Sequence, residues 1–163
     1  MRRRLMGIAI KRSVVGYVVA ETEPMRLLAH GLVHPGEVGG RGSRKIEARW
    51  SAAERLAEAI GDVVQETDPT EIVVSIERSR HMPWVNYDGA VAGTLVGFAA
   101  EPVVFDHAEV KKRLTGKWNG GGAIHEILAG MEWCAAIIAT ANAGAAEEGE
   151  ALLVATAAVI GAG

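Results

Sequence analysis

The sequence has one cysteine, Cys134, and only two phenylalanines and two tyrosines. A lone thiol permits no internal disulfide, which points to a cytoplasmic compartment. It lies in the apolar stretch MEWCAAIIA with no base near it in sequence. A packed side chain is therefore expected there, not a nucleophile. No uncharged apolar run reaches the roughly 18 to 20 residues of a membrane span. The Ala-rich stretch from Ala135 to Gly163 is interrupted by Asn142, Glu147, Glu148 and Glu150. The opening MRRRLMGIAIKR has only a short apolar segment before Lys11 and Arg12, so it reads as a strand and not as a secretory signal. The histidines are scattered, without zinc-like spacing. An excess of positive charge is also missing: the net charge of −3 argues against a uniformly basic nucleic-acid binder.

The distribution of charge says more than its sum. Basic residues cluster at Arg2 to Arg4, Arg41 to Arg49, Arg78 and Arg80, and Lys111 to Lys117. Acidic residues gather late, at Glu126, Glu132, Glu147, Glu148 and Glu150. One chain can carry a basic face and an acidic pocket while its total stays near zero. With 163 residues, 49% of them hydrophobic, it can bury a proper core as a single domain over residues 1–163.

Periodicity organises that domain. RLMGIAIK reads as a first strand, Ser13 to Gly16 as a turn, YVVAE as a second strand and MRLLAHGLVHPG as a third. From Ser43 to Thr67 apolar residues recur every three or four positions, which predicts an amphipathic helix stopped by Asp68-Pro69. EIVVSIE is a nearly continuous apolar strand, of the kind buried on both faces. Residues 90–100, AVAGTLVGFAA, read as a helix, and PVVF as a fifth strand. DHAEVKKRL reads as a helix with Asp106 as N-cap. A TGKWNGGG loop follows, then one long helix over residues 123–141 and a last helix beginning EEGEALL. An antiparallel start followed by βαβ units predicts a mixed α/β sheet flanked by helices.

Three carboxylates stand out. Glu77 ends the buried strand, where a charge is costly without a metal or cationic partner. A solvated strand-end residue paired with Arg78 or Arg80 is the plainer reading. Glu147 and Glu150 lie three residues apart at the start of the last helix, so both can face one site. Acidic residues also favour a helix N-terminus for its dipole alone. Glu148 should point elsewhere, toward solvent.

In order, these motifs resemble the RuvC family of Holliday-junction resolvases, within the ribonuclease H-like superfamily. The family opens with G-I-D-P-G and then G-Y; here the chain has Gly7-Ile8-Ala9 and Gly16-Tyr17. Its I-E after a buried strand matches Ile76-Glu77. Its P-V, V-K-K and T-G pattern matches PVVFDHAEVKKRLTGKWNGGG. Its D-E-A-D-A-L matches Glu147-Glu148-Gly149-Glu150-Ala151-Leu152. The resemblance implies a five-stranded ribonuclease H-like sheet and a structure-selective endonuclease acting on four-way or other branched DNA. It implies two Mg²⁺ or Mn²⁺ ions, held by converging carboxylates that include Glu77, Glu147 and Glu150, for phosphodiester hydrolysis. It also implies a homodimer; residues 90–100 with Gly93 and Gly97 offer a close-packing face for one, and packing within the core explains them equally well. For DNA contacts it implies Lys111, Lys112 and Lys117, with Arg78, Arg80 and the flat face of Trp84, although the residues alone read Trp84 equally well as a core side chain.

The departures matter as much. Ala9 stands where the family has its central Asp and offers no oxygen, so metal binding should be weakened and cutting silenced. Either the Asp has been replaced by mutation or the chain is naturally degenerate; the retention of the other acidic positions favours replacement. Glu replaces Asp at 147 and 150, and the glycines at 120 to 122 replace a more basic loop, with His125 nearest to its missing lysine. A protein of another class, one that holds branched DNA on this fold without cutting it, is the competing expectation. A sugar-kinase or actin-like relative would need far more chain.

Overall fold

A computed structural model of the chain describes residues 2–11, 14–36, 44–76, 103–118 and 121–163. One sheet contains β1 (Arg4–Ile10), β2 (Val15–Glu21), β3 (Arg26–Val33), β4 (Glu71–Ile76) and β5 (Val103–Asp106). The described helices are α1 (Arg44–Thr67), α2 (His107–Thr115), α3 (Gly121–Ala129), α4 (Ala135–Ala143) and α5 (Ala146–Ala162). A 3-10 turn over Glu132–Cys134 links α3 to α4. Strand order is β3-β2-β1-β4-β5. β1, β2 and β3 pair antiparallel, and β4 and β5 add on parallel to β1.

Alternation along the strands sorts two cores. Met6, Ile8 and Ile10 of β1, with Ile72 and Val74 of β4, meet Leu56 and Ile60 of α1. Leu5 and Ala9, with Val73, face the other way, toward Leu152, Ala155 and Val159 of α5. Being apolar toward both sides, β4 takes an inner position, as its sequence predicts. α5 has nine buried residues between Gly149 and Val159, the mark of a helix enclosed nearly all round. It lies close on the sheet because β1 and β2 are bare where it crosses. A Cβ on Gly16 would sit 2.7 Å from the carbonyl carbon of Ala151, and one on Gly7 would overlap the carbonyl oxygen of Ala155.

Three sequence expectations shift. Gly16 is not in the turn but in β2, opposite Ala9, and the hairpin closes through the Lys11 N–H donating to the Val14 carbonyl at 2.9 Å. The long helix expected over 123–141 is two helices bent by 116°. At the break, the N–H groups of Gly130 and Met131 donate to Ile127 and Leu128, tightening the last turn, and Met131 is extended. The bend lets Leu128, Cys134 and Ile137 enter one core. The loop after α2 is also shorter than expected, since α3 begins at Gly121. α1 ends as expected: Asp68 takes a left-handed conformation, φ 47°, directly before Pro69.

Candidate functional site

The carboxyl ends of β1 and β4 lie side by side beneath the N-terminal turns of α5, the edge where open α/β sheets bind ligands. Ala9 pairs with Gly16 on one side and Ser75 on the other. Its side chain is 0% exposed and packs into the apolar core under α5. Beyond it, Lys11 also turns to the α5 side, with its side chain only 6% exposed. A buried ammonium is unfavourable without a counter-charge. Glu150 supplies one: its Oε2 lies 3.1 Å from Lys11 Nζ, and its Oε1 accepts from Lys111 Nζ at 2.7 Å. Partial burial pushes the Glu150 carboxyl up, but the hydrogen bonds and charges of the two lysines outweigh it and hold it below its ordinary value.

α2 brings Lys111 there. Asp106 caps the helix, its carboxylate accepting from the Ala108 N–H at 2.9 Å. Gly116, left-handed at φ 77°, closes the other end by donating to the Lys112 carbonyl. The helix turns its basic residues in different directions. Lys111 points inward to Glu150, while Lys112 stays exposed, 4.2 Å from the ring centre of Trp118. Arg113 covers Phe105 at 4.0 Å and pairs with Glu109. Lys117 and Trp118 are exposed, Trp118 by 56%. Next to the Glu150–Lys111 pair, a cavity of about 260 Å³ is lined by Ile124, Asn142, Gly149 and Leu153. At its edge His125 meets the Asn142 Oδ1 at 3.2 Å.

A second polar pair lies deeper. Ser75 of β4 and His107 of α2 are buried, and Ser75 Oγ hydrogen-bonds His107 Nδ1. No described residue partners His107 Nε2. Burial first, then the positive charges of Lys11 and Lys111, push the His107 pKa down to about 4, so the ring is neutral at neutral pH.

The structure thus gathers Ala9, Glu150 and Lys111 at one end of the sheet, with Glu147 half-buried on the first turn of α5. Glu148 is not solvent-facing but half-buried, 3.5 Å from His34 Nε2. Glu77, Arg78, Arg80, Trp84 and the 90–100 segment lie outside the described residues. Sequence reading passed over Lys11, Ser75 and His107. The signals were a lysine directly after an apolar strand and one serine within EIVVSI. Arg2 to Arg4, basic in sequence, are absorbed at the opposite end of the sheet: Arg2 and Arg4 pair with Glu21, and Arg3 with Glu71.

The donors described at this end do not fit a pair of divalent ions. Ala9 has no oxygen to offer, and both oxygens of Glu150 are taken by ammonium groups. Among the described residues no three His, Cys, Asp or Glu side chains are grouped to hold a metal.

Neither a protein-family model nor a curated protein sequence matches the chain. Solved structures do. Thermus thermophilus RuvC superposes with a TM-score of 0.62 at 17% identity, over 94% of this chain and 92% of that one. The T. thermophilus RuvC in complex with a Holliday junction substrate gives 0.60 at 17% identity, over 95% and 91%. The chain therefore has a RuvC-like fold, a mixed five-stranded sheet of the ribonuclease H type flanked by helices.

Proposed function

We infer that this chain binds branched DNA, with a four-way junction as the substrate its fold suits best, and that phosphodiester hydrolysis at its site is silenced or weak. One observation carries the reading. On a fold like that of a RuvC known in complex with a Holliday junction, the end of the sheet beneath α5 carries Ala9 and a Lys11–Glu150–Lys111 cluster in place of open carboxylates. Exposed Lys112, Lys117 and Trp118 at the end of α2 offer charge for phosphates and a flat face for an unstacked base. A junction has two-fold symmetry, and a homodimer would match it.

A second reading keeps the enzyme: a divalent-metal-dependent crossover-junction endonuclease. The retention of Glu147 and Glu150 one turn apart on α5, with Glu77 directly after β4, favours it.

A mobility-shift assay on a labelled four-way junction and on linear duplex of the same sequence, in EDTA and in Mg²⁺, tests both. The junction should shift at about tenfold lower protein concentration or less, and stay uncut. Equal affinity for duplex overturns the junction reading. Symmetric cuts near the crossover in Mg²⁺ select the endonuclease.

A further inference from the structure

We propose that the Lys11 ammonium is a built-in cation that stands where a divalent metal ion would otherwise neutralise this site, so that Ala9 is only half of the change. The proposal deepens the reading of a non-cutting DNA binder and rests on it only for what the site is compared with.

Position is the first support. Ala9 and Lys11 both turn to the α5 side of the sheet, and Lys11 is the next residue outward on that side. Its backbone is fixed, since its N–H closes the β1–β2 hairpin on Val14. A long flexible side chain in such a place would ordinarily snorkel to water. This one is instead almost completely enclosed, with its charge against the α5 carboxylate.

Charge is the second. A divalent ion is held by carboxylate oxygens, and each oxygen of Glu150 already has its own ammonium, at 3.1 Å and 2.7 Å. An arriving metal ion would have to displace a lysine from a part-buried carboxylate and then sit beside its positive charge.

The third is what an acid restored at position 9 would meet. The aspartate introduced by Ala9→Asp would share its side of the sheet with Lys11. The nearest cation would be that ammonium, not a metal from solution. Removing Lys11 alone should open a weak metal site, and a tight one should need both positions changed.

The test uses Mn²⁺ without DNA, so its outcome is independent of whether the chain binds junctions. Mn²⁺ affinity is measured by calorimetry for the parent chain, Ala9→Asp, Lys11→Gly and the double variant. Ala9→Asp with Lys11→Gly should bind Mn²⁺ roughly tenfold or more tighter than Ala9→Asp alone. Equal affinity of the two overturns the proposal. Because Ala9 is enclosed and its replacement can prevent folding, a second measurement leaves it in place. Millimolar Mn²⁺ should raise the Tm of Lys11→Met and leave that of the parent unchanged. An equal shift in both, or none in the variant, overturns the proposal as well.

Discussion

His107 of α2 and Ser75 of β4 are joined by a buried hydrogen bond through Nδ1, and the other ring nitrogen has no partner among the described residues. The imidazole is therefore a neutral ring locked between a helix and the sheet. Its folded pKa of about 4 lies below the ordinary value of 6.5. Between those two values the unfolded chain binds the extra proton and the folded chain does not, so stability falls as pH drops. The loss begins near the unfolded pKa and is complete below the folded one. Its size is about 3 kcal/mol. Urea titrations at pH 7 and pH 4.5 should show this decline, and His107→Asn should remove a large part of it by comparison. An unchanged acid-side slope in that variant would refute the assignment.

Cys134 is enclosed in the core beside α4, and burial pushes its thiol pKa up to about 11. It should be inert to a thiol-specific reagent in the native protein and react fully in denaturant. Rapid labelling of the folded chain would place it at the surface instead.

The seat of α5 on β1 and β2 predicts an unusually costly glycine replacement. Gly16→Ala puts a methyl 2.7 Å from the Ala151 backbone, which no rotamer can avoid. Forcing helix and strand apart should cost at least about 2 kcal/mol. Thermal denaturation of this variant beside Gly122→Ala, where open space surrounds the Cβ, provides the comparison.

Trp118 and Lys117 tell DNA binding apart from simple surface decoration. Trp118→Ala should weaken junction binding by about 1 to 3 kcal/mol through lost stacking, with little change in the salt slope. Lys117→Ala should weaken it more uniformly and reduce that slope by about one counterion. Unaltered affinity in both would move the DNA surface away from the end of α2.

Much of the frame was legible in the sequence, and for identifiable reasons. α1 is amphipathic along one side, so its period marks it. Asp106 was readable as a cap because its side chain serves an N–H of its own first turn, that of Ala108. The bend at Gly130 was hidden because MEWCAAIIA is apolar in every direction and carries no phase. The site was harder still. Lys11 looks like any charged residue after a strand, and only the packing of α5 shows that it is enclosed with Glu150. Lys111 and Lys112 are neighbours of one type, and spacing alone cannot say that one turns inward while the other covers Trp118.

The bare backbone at Gly7 and Gly16 separates architecture from chemistry. The depth at which α5 lies is set where strand residues without side chains meet the backbone of Ala151 and Ala155. The ammonium of Lys11, on the first residue beyond β1, can therefore be exchanged while the scaffold that presents Glu150 stays the same height. A fold built this way is evolvable at its working edge: the charges there can change without the scaffold first being rebuilt.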